Sequence, residues 1–247
     1  GFLPLKINIY QINTARDPKQ LKFLCLDTAR RILHSAEPDS AAYDKVYSGD
    51  VKCRNLEDVF TLFNSRRPEG FRGHSLSVSD VVEVEDAAGI TPGFYFCDSF
   101  GFKEIPFQPE LAADAVRGPT IQVVLVEPGK TARIAEVGTS LDAMQQTVGG
   151  SIEAYYPFEE QVCIVCNDEG KINGLPLNRA IRDEDTNEIV DIIAGTFFIC
   201  DCRKESFGSL SEEQQKRYLE KYRLPERFFL TRDGIEAVSY KPKDRDR

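Results

Sequence analysis

Apolar and polar positions alternate along 6–12 (KINIYQI): Ile7, Ile9 and Ile12 mark a strand, and Tyr10 breaks the alternation. Asp17-Pro18 predicts a turn, 21–26 a second short strand, and Asp27 the cap of a helix running to about His34. Residues 43–51 (YDKVYSGDV) read as a strand with a Gly-Asp turn inside it. The clearest helix of the first half is 55–64. Asn55 with Asp58 three residues on resembles a capping box, and Leu56, Val59, Phe60 and Phe63 share one face. In 73–86, Leu76 and Val78 alternate with serines and Val81, Val82 and Val84 continue as a strand, while 93–107 is an aromatic strand with a turn at 98–101.

The second half opens on a strand at 121–129, with 133–137 as its hairpin partner. Ser140 caps a helix carrying Leu141, Met144 and Val148, and Gly149-Gly150 stops it. Strands follow at 151–158 and 161–167. The stretch 188–202 is long and β-branched, with Gly195 as a bulge or a point of close approach. A second amphipathic helix spans 211–222, its capping box formed by Ser211 and Gln214, and 228–238 adds a final strand.

Strands and helices do not alternate strictly, which argues against a doubly wound parallel sheet. The expected fold is α+β: two small domains with mixed or antiparallel sheets, each with one or two packed helices. The small-residue segment ELAADAVRGP marks the boundary. The division is 1–110, a linker at 111–119, a second domain at 120–240, and a basic tail at 241–247.

Composition narrows the function classes. A net charge of −9 and pI near 5.0 argue against broad binding to nucleic acid or anionic membrane. No apolar run reaches the roughly 18–20 residues of a bilayer span, and GFLPLKINIYQI lacks the regions of a signal peptide. Seven cysteines fit a reducing compartment better than a disulfide framework, so a cytoplasmic location is expected.

The segments LEDVFTLFN, FRGHSLSVSDVV and YFCDSFGF resemble the YodL-like domain. VEPGK, VGGSIEAYYPF, CNDEGKINGLPLNRAI and IAGTFFIC resemble a domain-of-unknown-function family of phages and integrative elements of Firmicutes. The resemblance implies a mobile-element setting in a Gram-positive bacterium. It implies no activity, substrate, cofactor or catalytic residue.

The most polar stretch is 166–181. Asn167, Glu169, Lys171, Asn178 and Arg179 are its candidates for a ligand pocket or partner surface, because Arg offers a planar fork and Asn donates and accepts together. The alternative is a scaffold in which Gly and Pro shape turns and the asparagines satisfy backbone groups. His74, Ser75 and Asp80 form a secondary candidate set, against which stands a turn held by local serine hydrogen bonds. Cys163, Cys166, Cys200 and Cys202 are a weak zinc set. On a strand, positions i and i+3 face opposite sides, which favours core thiols.

No metal, cofactor or catalytic set is therefore expected. The leading expectation is a non-enzymatic accessory protein that binds another protein, such as a host defence or replication component. Two others stand beside it: a small-ligand or nucleotide-binding protein with its pocket at Glu169, Lys171, Asn178 and Arg179, and an acidic DNA mimic.

Overall fold

The computed structural model describes residues 3–87 and 89–243 and divides the chain into two compact units, Gly1–Gly118 and Pro119–Arg247. Both are α+β. Residues 244–247 of the expected basic tail lie outside the described residues.

The first unit contains β1 (Leu5–Ile12), α1 (Leu26–Ile32), β2 (Tyr43–Val51), α2 (Leu56–Ser65), β3 (Val81–Asp86), β4 (Gly93–Cys97), β5 (Phe102–Ile105) and β6 (Ala113–Asp114). They form one six-stranded sheet, ordered β5-β4-β3-β1-β2-β6, antiparallel except for the β2–β6 pair. The expected linker at 111–119 thus includes a strand of this sheet, and Ala115 N–H adds a bond to Lys45 O (2.9 Å).

β1 alternates imperfectly because it is covered on both faces. Leu5, Ile7 and Ile9 enter a core with Val59 and Phe63 of α2, whereas Tyr10 and Ile12 enter a second core with Leu26 and Ala29 of α1. Opposite Ile9 and Tyr10, β2 carries one extra residue, so Val46 and Tyr47 both reach the α2 side.

Three expectations give way here. Residues 21–26 are not a strand, because the Asp17 carboxylate accepts from Leu21 N–H (2.9 Å) and Lys22 N–H (3.0 Å), and Gln20 and Phe23 turn to positive φ. Asp27 does not cap α1. The first residue outside it is Cys25, and the free Leu26 N–H is met by Asp98 Oδ1 (3.2 Å) from the β4–β5 turn, 72 residues away. Gly49-Asp50 makes no turn; both residues stay in ladder with Ile7 and Lys6. The Asn55 cap is present, accepting from Asp58 N–H (2.8 Å), but Asp58 reaches back to Arg54 N–H (3.0 Å) rather than closing the box.

The second unit contains β7 (Thr120–Val126), β8 (Arg133–Gly138), α3 (Leu141–Val148), β9 (Ile152–Tyr155), β10 (Val162–Asn167), β11 (Leu177–Arg182), β12 (Ile189–Ala194), β13 (Phe197–Asp201), α4 (Glu212–Lys221), β14 (Glu226–Thr231) and β15 (Gly234–Ser239). An antiparallel sheet ordered β8-β7-β13-β10-β9 lies between α3 and α4. Met144 and Val148 of α3 cover the face of Val123, Val165 and Phe198, while Tyr218 of α4 and Tyr222 cover that of Val124, Ile164 and Phe197. Both helices carry the expected caps: Ser140 accepts from Ala143 N–H (3.1 Å), and Ser211 and Gln214 close a full capping box.

Two two-stranded hairpins, β11–β12 and β14–β15, stand apart from the main sheet. The β-branched stretch 188–202 is therefore two strands in two sheets. The chain turns at Gly195 (φ 81°), and Gly195 N–H donates to Pro176 O (2.8 Å). The expected strand at 228–238 is a hairpin turned at Arg232-Asp233, with Gly234 (φ 118°) opening β15 opposite Thr231.

Candidate functional site

The polar stretch 166–181 folds into two different things. Its first part is a turn. Asn167 Oδ1 accepts from Glu169 N–H (2.9 Å) and its amide donates to Val148 O (3.3 Å), while Asn173 N–H and Leu175 N–H return to Glu169 O and Gly170 O (both 2.9 Å). Glu169 is exposed, and Lys171 pairs with Asp191 of β12. Its second part is strand β11, in which Asn178 (0% exposed) and Arg179 (1%) are buried.

The five candidates do not converge. Asn178 Nδ2 donates to Val126 O (3.0 Å) and Gly195 O (2.8 Å), joining the β11–β12 hairpin to the main sheet. The Arg179 guanidinium donates to Tyr222 O (3.1 Å), Asn178 Oδ1 (2.9 Å) and Lys130 O (2.7 Å). Burial lowers its pKa to about 10, against an opposing pull from Glu226. Backbone acceptors thus take up the planar fork that made Arg179 a ligand candidate, and the expected pocket at Glu169, Lys171, Asn178 and Arg179 is replaced by scaffold.

The secondary set does come together, around Gln11 of β1. Gln11 Nε2 donates to His74 O (2.8 Å) and Asp80 Oδ2 (3.0 Å), and Gln11 Oε1 accepts from His74 N–H (3.0 Å). Asp80 Oδ2 also accepts from Ser77 N–H (2.8 Å), and Ser77 Oγ donates to Ser75 O (2.7 Å). These bonds wind 73–80 into a loop where alternation had predicted strand. His74 Nδ1 lies 2.8 Å from Ser75 O, and its Nε2 is 3.9 Å from Asp80 Oδ1. His74, Ser75 and Asp80 are all buried, so the set ties the loop to β1.

The cysteines divide between the two faces of one sheet. Cys163 and Cys200 are register partners in the α3-side core, with sulfurs 3.8 Å apart, whereas Cys166 lies in the α4-side core. Cys202 packs at the margin of the α3 side. Four sulfurs spread over both faces cannot ligate one ion, and no group of three or more metal-ligating side chains is found among the described residues. Burial pushes the Cys166 thiol up to about 11. Cys163 is drawn down by hydrogen bonding with Cys200, whose own pKa is raised.

Open space lies beside the two hairpins. A groove of about 870 Å³ lies between β12 and β15 and is lined by residues 188–192 and 233–238, together with Lys171, Leu177 and Arg182. Each strand contributes consecutive residues. In β12 the run is unbroken because Val190 is the extra residue of a bulge between the Ile181–Asp191 and Arg182–Ile189 pairs, and Leu177 and Arg182 of β11 line the same space. Seven of the fourteen exposed large apolar side chains among the described residues belong to the hairpins or the turn before β11, including Ile172 (86%), Val190 (58%), Leu230 (87%) and Ile235 (50%). Those of β14–β15 lie on both of its faces: Leu230 and Ile235 are partners on one, and Phe229 and Val238 are on the other. Sequence reasoning missed the groove. The available signal is the polar turn segment Arg232-Asp233-Gly234 between two apolar runs, which a single strand over 228–238 overlooks.

A second cavity of about 510 Å³ lies between the 182–184 turn and the end of α4. Its cations are engaged: Lys221 with Glu184 (3.4 Å), Arg223 with Glu220 (3.7 Å) and Arg182 with Asn187 O (3.1 Å). No helix among the described residues is long and apolar enough to cross a membrane.

Comparison with known proteins returns two families. One described as the YodL-like domain matches residues 6–107, and one described as a domain of unknown function (DUF3846) matches residues 121–223. The β14–β15 hairpin, and with it one wall of the groove, lies beyond the second match. No curated protein and no solved structure matches the chain.

Proposed function

We propose that this chain, which joins a YodL-like domain to a domain of unknown function, is a non-enzymatic accessory protein of a phage or conjugative element that acts by binding another protein. The mobile-element setting rests on the family resemblance. Protein binding rests on one observation: an open groove edged by two strands that have a single partner each and bordered by exposed Val190 and Ile235. Unpaired strand edges are templates for association, and soluble proteins commonly blunt or cover them.

The polar candidates lend no support to a small-ligand pocket, because Asn178 and Arg179 are bonded to backbone and side-chain oxygens of their own unit. The acidic runs lend none to DNA mimicry, since their carboxylates have local work. Glu83 accepts from Asn8 (2.8 Å), Glu85 pairs with Lys6 (3.0 Å), Glu160 with Arg217 (2.8 Å), and Asp183 accepts from Asp185 N–H and Thr186 N–H (both 2.9 Å).

The test is photo-crosslinking in a Gram-positive host carrying the element. A photoreactive residue at position 190 or 235 is compared with one at 100 or 141, which are exposed but remote from the groove in sequence. The expected result is a discrete adduct from 190 and 235 alone. Equal labelling at all four positions, or none at any, refutes the reading.

A further inference from the structure

We propose that the groove between β12 and β15 takes an extended segment of a basic partner, added as a strand and carrying Lys or Arg alternately with apolar residues. The proposal rests on the protein-binding reading and adds the chemistry of the partner.

The backbone argument comes from register. Ala180 and Ile192 face each other across the β11–β12 hairpin, yet Ala180 N–H donates to Glu226 Oε1 (2.9 Å). They are therefore a non-hydrogen-bonded pair, and the backbone groups of Ile192 point away from β11, toward the open edge. Beside it the ladder slips: Val190 is the extra residue between the Ile181–Asp191 and Arg182–Ile189 pairs, so the regular period ends there. Ile192 N–H is itself taken by Asp191 Oδ1 (2.7 Å), so β12 offers no regular run of free backbone groups. Along the other wall, β15 pairs only with β14. β15 keeps a regular register with β14: Tyr240 N–H donates to Pro225 O (2.9 Å), so by the two-residue period the backbone groups of Ser239, Ala237 and Ile235 point away from β14. At roughly 3.3 Å per residue, 234–239 offers an edge of about 20 Å, enough for about six residues of an incoming strand.

The charge argument selects the occupant. Glu188, Asp233 and Glu236 line the groove, are exposed, and have no ion pair among the described residues. Of the two cations in its wall, Lys171 is paired with Asp191, and Arg182, bonded to the neutral Asn187 O, keeps its charge, so four carboxylates stand against two cations. The groove therefore carries surplus negative charge on a chain whose net charge is −9. A second copy of this chain would bring the same carboxylates against these, and like charges at an interface are disfavoured. A cationic segment matches them, and its alternate apolar residues would lie against Val190 and Ile235, which are 58% and 50% exposed.

The probe is a nine-residue capped peptide alternating Lys and Val, titrated into the full-length protein at low salt, with the Glu–Val peptide of the same pattern as control. The Lys–Val peptide is expected to bind and the Glu–Val peptide not to. Methylating alternate backbone nitrogens of the Lys–Val peptide removes its ladder donors and is expected to weaken it about tenfold. The variant combining Glu188→Lys, Asp233→Lys and Glu236→Lys is expected to exchange the preference and bind the Glu–Val peptide, a gain that a misfolded protein would not show. Absence of Lys–Val binding, indifference to methylation, or an unchanged preference in the triple variant each overturns the proposal. If positions 190 and 235 still crosslink a partner in cells, strand addition by a basic segment falls while protein binding stands.

Discussion

Replacing Arg179 by alanine separates a guanidinium that holds the fold from one that waits for a ligand. The side chain is 1% exposed and donates three hydrogen bonds, to Tyr222 O, Lys130 O and Asn178 Oδ1. Hydrogen bonds from a charged donor are worth about 1.5–3 kcal/mol each, and buried oxygens left without a donor cost about 1–3 kcal/mol each. Against this stands the burial cost that lowers the guanidinium pKa from 12.5 to about 10, on the order of 3 kcal/mol, which the substitution relieves. Counting only the three stranded neutral oxygens, at about 2 kcal/mol each, against the roughly 3 kcal/mol of relieved burial leaves a net loss of about 3 kcal/mol for Arg179→Ala. With a urea slope of about 2 kcal/mol per molar, the midpoint of the second unit falls by about 1.5 M.

The chain has no Trp, so far-UV circular dichroism is the natural probe, with hydrogen exchange assigning the change to a unit. Exchange is expected to accelerate in β11 and at the end of α4, and to stay unchanged in β1–β5. Arg179→Lys keeps the charge but loses the fork, so it should recover only part of the loss. Asn178→Ala combined with Arg179→Ala should cost less than the two apart, because the residues share a bond. A loss below about 1 kcal/mol with β11 exchange unchanged would refute the scaffold assignment and return Arg179 to the ligand candidates.

Three further outcomes are expected. Burial lowers the Lys22 pKa to about 8, partly offset by Asp80, Asp17 and Asp44, so between pH 8 and 10.5 the unfolded state holds more protons than the folded one. The Lys22 contribution to stability should therefore rise with pH across that window and be lost as pH falls through it to 8, by about 3 kcal/mol at most, while buried Cys166, with its raised thiol pKa, acts in the opposite direction; the difference between the parent and Lys22→Met, measured by denaturation at pH 7 and 10, isolates the lysine's share. Gly170→Ala should cost about 1–3 kcal/mol in thermal unfolding, because a Cβ there would lie 2.6 Å from the backbone oxygen of Ala194. Iodoacetamide at pH 8, read by peptide mass mapping, should label Cys25, whose pKa is lowered by hydrogen bonds from Thr28, well before Cys166, which is buried with a thiol near 11.

Much of the fold is legible along the chain because its signals are local. The caps at Asn55, Ser140 and Ser211 act within three residues, and the periodicities of α2, α3 and α4 need no partner to be read. The opposite-face argument for Cys163 and Cys166 needs only the pleat of one strand. The failures share the opposite property. Residues 21–26 were misread because Asp17 bonds two amides that alternation cannot see, and α1 is capped by Asp98 from a distant turn.

The candidate site follows the same division. Sequence by itself determined that 166–181 is turn-rich, that its asparagines have backbone work available, and that the chain carries surplus negative charge. Only the tertiary structure decided that Arg179 points inward, because its acceptors, Tyr222 O and Lys130 O, are brought to it by segments 43 and 49 residues away. It also decided that β12 and β15 leave a groove between them. A side chain's chemistry is written at its own position, whereas its burial and the vacancy of a strand edge depend on which distant segments pack there and which do not.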